Sequence, residues 1–160
     1  MEDVPHKRIL PPVTYGVICI SDSCYQKKKE DTSGAYLREL LSATCYVVVP
    51  DVIENIKGAV QDMITEADVI VTTGGTGLSP HDVTLLALSP VFDRTITGFG
   101  ELFRMLSYEQ VGTACLLSSA KAGVIEGTLV FCLPGSLNAV KLGGSIIIEE
   151  APHMIKHLRE

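Results

Sequence analysis

Asp68 to Thr84 reads DVIVTTGGTGLSPHDVT. The β-branched apolar run within Asp68 to Thr73 predicts a short buried strand. Gly74, Gly75 and Gly77 follow it directly, and glycines there let backbone N–H groups approach an anion closely. A helix expected to start near Val83 would add a favourable dipole. The loop matches neither familiar phosphate motif, because no Lys-Ser or Lys-Thr follows the glycines and the spacing is not G-x-G-x-x-G. A tight strand-to-helix turn that binds nothing would look the same.

Working upstream, Val13 to Ile20 reads as a first buried strand, ending in Ser21-Asp22-Ser23. Thr32 or Ser33 is placed to cap a helix running through Leu37, Leu40 and Leu41. Tyr46 to Val49 is a second strand, stopped by Pro50-Asp51. Ile53, Ile56, Val60, Met63 and Ile64 recur at helical spacing, which predicts a helix from Ile53 to Ala67. The order is βαβαβ, so the strands are expected to be parallel and joined by right-handed crossovers. Ligands of such sheets bind at the carboxyl ends of the strands, and all three strands end in polar or glycine-rich loops.

Downstream, Phe99, Leu102, Phe103 and Leu106 predict a helix from Gly98 to Gln110. Thr113 to Leu117 and Gly127 to Leu133 read as two more strands, separated by a turn around Ile125-Glu126-Gly127. Leu133-Pro134-Gly135-Ser136 then opens a long helix to about Leu158. Gly143-Gly144 within that helix marks either close packing or a break.

The chain of 160 residues has room for one good core, so residues 1–12 read as a polar, proline-containing lead-in and residues 13–160 as one domain. With 46% hydrophobic and 20% charged residues it falls in the globular range. The formal charge of −6 gives no general attraction to a nucleic-acid backbone. The one basic run, Lys27 to Lys29, is a solvated loop or an anion-steering lip. Five scattered cysteines form no C-x-x-C pair, so neither zinc nor a disulfide framework is predicted. No stretch approaches the roughly 18 apolar residues of a membrane span, and no leader pattern is recognisable. A reducing cytoplasm is the expected location.

Among candidate chemical groups, Asp82 stands at the rim of the glycine loop, where a carboxylate beside bound phosphates serves as a Mg²⁺ ligand. A helix N-cap would use the same residue type. Asp22 and Asp51 end the first two strands and come to the same sheet edge, although each is also a natural cap or turn residue. Pro134-Gly135-Ser136 offers a second helix N-terminus suited to an anion, or a plain cap at Ser136. His153 and His157 lie four apart on the last helix without the intervening Glu of an H-E-x-x-H site. No nucleophile-base set is assembled, and nucleotidyl transfer does not need one.

Taken together and in order, Ser21-Asp22-Ser23, Asp31-Thr32-Ser33-Gly34, Val49-Pro50-Asp51, Thr72 to Gly77 with Asp82-Val83-Thr84, Gly98-Phe99-Gly100-Glu101, Leu117-Ser118 and Leu133 to Ser136 resemble the MogA/MoaB family, which includes the gephyrin G domain. The resemblance covers about residues 13–158, and Phe99 to Gly112 is most similar to the MoaB branch. It implies a three-layer α/β/α sandwich with a mostly parallel central sheet. It further implies adenylylation of molybdopterin by Mg²⁺ and ATP, giving adenylyl-molybdopterin and pyrophosphate, within molybdenum cofactor biosynthesis. Family members assemble as trimers or hexamers, and other proteins of that biosynthesis are implied partners.

Carried over by position, Asp82 is similar to the essential carboxylate near Mg²⁺, with Asp51 and Glu101 as further acidic site residues. Thr73, Gly74, Gly75, Thr76 and Gly77 correspond to the nucleotide-phosphate cradle, with Ser21 and Asp22 beside it. Ser118, Pro134, Gly135 and Ser136 correspond to pterin-side contacts. The chain departs from the family at His81 and Ser119, where Arg is common, and at Leu86, where an acidic residue is common. Losing an Arg removes a permanent charge and a bidentate phosphate fork. These departures define an alternative expectation, a molybdopterin-binding or scaffold member with little or no transferase activity. A nucleotide-binding α/β domain acting on another substrate is the third reading.

Overall fold

A computed structural model describes residues 10–160. Residues 1–9 of the expected lead-in lie outside them. Strands β1 (Tyr15–Ile20), β2 (Cys45–Val49), β3 (Val69–Thr73), β4 (Arg94–Thr95), β5 (Lys121–Ile125) and β6 (Thr128–Leu133) form one sheet in the order β2-β1-β3-β6-β5-β4. The first four strands in that order are mutually parallel, and β5 and β4 each run antiparallel to the neighbour before them. The helices are α1 (Asp22–Tyr25), α2 (Thr32–Leu41), α3 (Ile53–Met63), α4 (Thr84–Leu88), α5 (Thr97–Val111) and α6 (Leu137–Leu158).

Alternation along the strands divides the core in two. Tyr15, Val17, Val69, Val71, Leu129 and Phe131 face one layer, where they meet Leu37 and Leu41 of α2, Phe99 and Phe103 of α5, and Val140, Ile147 and Ile155 of α6. Ile18, Ile20, Ile70, Val130 and Cys132 face the other, packed on Ile56, Val60 and Met63 of α3 and Leu88 of α4. A strand buried on both faces reads as a continuous apolar run, which is why the central strands were visible without a period-2 pattern. The expected three-layer α/β/α sandwich is therefore the observed architecture, and the chain is similar in fold to known proteins described below.

Several local expectations are corrected. Thr113 to Leu117 is not a strand but part of a 3₁₀ turn over Gly112–Leu117, with Leu116 81% exposed. The strand preceding the Ile125-Glu126-Gly127 turn is Lys121–Ile125. Its glycine is a packing site: a Cβ on Gly123 would lie 2.4 Å from the Phe92 ring. The helix of residues 53–67 stops at Met63. Asp31, rather than Thr32 or Ser33, caps α2, because its carboxylate accepts the Gly34 N–H at 2.8 Å. Gly143 and Gly144 are buried inside an unbroken α6, where Cβ atoms would meet Leu133 and Leu40 at 2.5 and 2.7 Å, so they mark close packing.

Candidate functional site

Chain order places the site. From β1 the chain crosses to β2 on one side of it and then returns to β3 on the other, so the strand order reverses between β1 and β3. The loops at the carboxyl ends of these strands diverge there and leave a crevice. A cleft of about 470 Å³ opens at that point. Its walls include Ser21, Asp51, Thr73 to Gly77, Asp82 and Pro134 to Ser136.

The glycine loop fits because it has no side chains where the chain is tightest. Gly74 has φ +102° and donates its N–H to the Leu133 carbonyl at 3.0 Å. A Cβ there would stand 2.2 Å from the Ile20 carbonyl oxygen. Gly75 has φ +72°, and its missing Cβ leaves room for the Thr84 hydroxyl. That hydroxyl donates to the Gly74 carbonyl at 2.8 Å, while the Thr84 N–H donates to the Gly75 carbonyl at 3.0 Å. Thr84 thus locks the loop from behind, in the buried interior. On the β6 side, the Thr73 hydroxyl donates to the Pro134 carbonyl at 3.3 Å and the Ser33 hydroxyl to the Gly135 carbonyl at 2.7 Å.

The helix expected after this loop starts at Thr84 and has only five residues, too short for a substantial end dipole. The longer α6, capped by an uncharged side chain, provides that field instead. Asp31 caps α2 and Ser136 caps α6, the latter accepting the Ala139 N–H at 3.2 Å, and both caps line the cleft. Pro134, Gly135 and Ser136 therefore sit at an anion-suited helix end, and Ser136 is also the cap.

Asp82 is not the N-cap of α4, a position held by Val83. Its Oδ2 turns back to accept the Ser79 N–H at 3.1 Å. Gly77 allows this fold-back, since a Cβ on it would lie 2.6 Å from that same oxygen. A carboxylate has about four lone-pair positions. The single bond to Ser79 leaves most of this capacity to the cleft.

Asp22 and Asp51 brace each other. The Asp22 N–H donates to Asp51 Oδ2 at 3.0 Å, and the Asp51 N–H donates to Asp22 Oδ1 at 2.8 Å. This exchange ties the ends of β1 and β2, so Asp22 positions Asp51 and only Asp51 lines the cleft. Burial holds the Asp51 carboxyl above its ordinary range; the Asp22 and Asp82 carboxylates add to the rise, and the Asp22 N–H offsets part of it. A site that crowds two carboxylates in this way favours a cation between or beside them.

Besides Asp22, two predicted residues are not gathered into this cleft. Glu101 is exposed on α5. Ser118 lies just beyond, in a neighbouring cavity of about 270 Å³ that shares Leu117, Pro134 and Ser136 with the cleft. Its hydroxyl is buried without a hydrogen-bond partner, a state that an incoming polar ligand would relieve. Of the departures, His81 and Leu86 are exposed and Ser119 lines a further cavity with Arg104 and Lys121. Of the basic run only Lys29 reaches the cleft. Cys19, Cys24 and Asp31 also line it. Their convergence was not predictable, because separations along the chain do not reveal which way a strand end, a single helical turn and a cap will point.

A doubly wound sheet with a glycine-lined, carboxylate-bearing cleft at its switch point defines an α/β domain of the kind that binds ligands at the ends of its strands. The comparisons agree on which one. Residues 16–153 match the family described as "Probable molybdopterin binding domain". Over 97% of its length the chain is 41% identical to the "Probable molybdopterin adenylyltransferase" of Methanocaldococcus jannaschii, covering 99% of that protein. It is 44% identical to the "Molybdopterin adenylyltransferase" of Pyrococcus furiosus, covering 97% of each. The crystal structure of the tungsten cofactor synthesizing protein MoaB from Pyrococcus furiosus superposes with TM-score 0.90 at 43% identity, over 94% of this chain and 100% of that one. The chain belongs to the MoaB/MogA family of molybdopterin-binding domains.

Proposed function

We propose that this protein is a molybdopterin adenylyltransferase, acting through residues 13–160 as one domain. The observation that carries the reading is the meeting of Asp51, Asp82, the Gly74 to Gly77 loop and the α6 N-terminus on one cleft. Adenylylation joins a terminal phosphate oxygen of molybdopterin to the α-phosphorus of ATP, and the bond from that phosphorus to the β-phosphate oxygen breaks to release pyrophosphate. Both substrates are polyanions, so the demands on the protein are positioning and charge compensation. Backbone N–H groups of the glycine loop would hold the nucleotide phosphates. The α6 N-terminus and Ser136, continuous with Ser118, would orient the pterin.

The donor set fits Mg²⁺, since Asp82 and Asp51 present hard carboxylate oxygens beside a phosphate cradle. When bound, Mg²⁺ would neutralise phosphate charge and polarise the phosphorus under attack. Asp82 is the residue assigned to hold it, and Asp51, braced by Asp22, supports the same region. Glu101 is assigned no step, because it stands outside the cleft. The second reading, a binding or scaffold member of the family, is favoured by the exposed His81 and Leu86, which supply no permanent positive or negative charge at the rim. Incubation with molybdopterin, ATP and Mg²⁺ separates them. Adenylylated pterin and stoichiometric pyrophosphate are expected. Tight pterin binding with no turnover would establish the scaffold reading, and adenine-nucleotide binding without pterin affinity would refute both.

We further propose that the protein works as a trimer or hexamer. Leu102, Met105, Tyr108 and Val111 on α5, with Leu116 and Leu117 after it, are exposed apolar side chains of the kind that subunit contacts cover. Sedimentation is expected to return three or six chains per particle, and a monomer at assay concentration would remove this part of the reading. No helix among the described residues is long and apolar enough to cross a membrane.

A further inference from the structure

The cleft holds a second group of ligating atoms that the adenylyl-transfer reading does not use. Cys19 near the end of β1, Cys24 on α1 and Asp31 at the cap of α2 bring two thiol sulfurs and a carboxylate oxygen within 4.8 Å of one another. Around a tetrahedral zinc ion, with bonds of about 2.3 Å to sulfur and about 2.1 Å to oxygen, ligand atoms stand roughly 3.6–3.8 Å apart. The three side chains therefore need only small rotations to close on one ion. Two sulfurs select a thiophilic metal over Mg²⁺, which takes oxygen ligands only.

The surroundings of these atoms are ordered. Asp31 Oδ1 accepts the Gly34 N–H at 2.8 Å, and Oδ2 accepts the hydroxyl of Tyr46. Arg38 lies over the Tyr46 ring, 4.2 Å from its centroid. An outer layer of this kind fixes a ligating carboxylate in orientation. The Cys24 backbone is tied by its N–H to Ser21 Oγ at 3.2 Å, and Cys19 is a buried strand residue. All three residues line the cleft, so an ion held among them would border its interior.

We propose that Cys19, Cys24 and Asp31 form a site for a thiophilic divalent ion of the zinc type, separate from the hard-cation position at Asp82, with its fourth coordination position open to the cleft. Three protein ligands and one exchangeable position are the arrangement of a reactive rather than a purely structural zinc site. The inference does not depend on adenylyl transfer, since its test reads metal coordination and not turnover.

Co²⁺ is the probe, added to the full chain under a non-thiol reductant. One equivalent per chain is expected to give thiolate-to-cobalt charge-transfer absorption with the visible bands of a tetrahedral ion, both removed by Zn²⁺. Cys24→Ser, at a half-buried position, is expected to lower the charge-transfer intensity by about half, because one of two thiolates is lost. Cys19→Ser combined with Cys24→Ser is expected to abolish it. Tyr46→Phe keeps the ligands and is expected to weaken Co²⁺ binding about tenfold through the loss of the outer hydrogen bond. Cys45→Ser and Cys115→Ser are expected to change nothing. Absence of charge-transfer absorption at saturating Co²⁺, its persistence in the double variant, or recovery of Cys19 and Cys24 as a disulfide under the same reductant would each overturn the proposal.

Discussion

Gly74→Ala is expected to lower stability by about 3–5 kcal/mol and to abolish nucleotide binding in whatever fraction folds. Two costs combine. A non-glycine residue at φ +102° is strained, and the added Cβ would sit 2.2 Å from the backbone oxygen of Ile20. The obstacle is backbone, so no side-chain rotation relieves it. Either β1 and β3 separate at their carboxyl ends or the Gly74 N–H gives up the Leu133 carbonyl. Both outcomes open the switch point on which the cleft depends. For a chain of this size the loss corresponds to a fall in melting temperature of about 10 °C. Gly58 supplies the contrast, because it lies in α3 with nothing within 4 Å of its added Cβ. Gly58→Ala is expected to stabilise the protein by up to about 1 kcal/mol through helix propensity. Thermal unfolding of both variants decides the matter: a Gly74→Ala protein that melts with the wild type would show that the loop is not held as described.

The contrast between these glycines shows where sequence reading succeeds and where it stops. Strands β1, β3 and β6 are legible because burial on both faces leaves continuous apolar runs, the edge strand β2 because its β-branched run stops at Pro50, and the four longest helices because helical spacing leaves a distinct period. Thr113 to Leu117 carries an apolar run of the same length, yet Leu116 and Leu117 point outward. A short apolar run cannot by itself separate a buried strand from an exposed turn. Lys121 to Ile125 was missed for the opposite reason, as Lys121 and Gly123 look like loop residues until the Phe92 ring is seen to occupy the place of a Cβ. Local composition holds no record of such a tertiary contact.

The same division runs through the site. The glycine loop, Asp51, Asp82 and the Pro134 to Ser136 turn were legible because topology alone sends the strand ends to one edge. Individual roles were not. Asp22 was read as a site residue, but its backbone and carboxylate are both committed to Asp51. Asp82 could equally have been a cap until its bond to the Ser79 N–H showed it folded back over Gly77. Which hydrogen bond a carboxylate makes depends on loop geometry, and that geometry is set by residues far away in the chain.

Asp82→Asn should reduce adenylyl transfer by about a thousandfold or more while leaving the fold intact. The amide is nearly isosteric, and its oxygen can still accept the Ser79 N–H, so the turn of residues 79–82 keeps its hydrogen bond. What disappears is one negative charge beside the phosphate cradle. Lewis-acid stabilisation by a metal ion is worth several kcal/mol, and each 1.4 kcal/mol of it is about tenfold in rate. The loss is expected in kcat with a raised Mg²⁺ requirement, because the carboxylate is assigned to the cation rather than to either substrate. Pterin affinity measured without Mg²⁺ should change little for the same reason. Asp22→Asn offers a graded comparison: it acts only through Asp51, so its effect on rate should be smaller and partly recovered at high Mg²⁺. Turnover by Asp82→Asn within about threefold of the wild type, with unchanged Mg²⁺ dependence, would sink the assignment. The assignment would then pass to Asp51, which also lines the cleft and whose Oδ1 lies 3.3 Å from the Cβ position of Gly75.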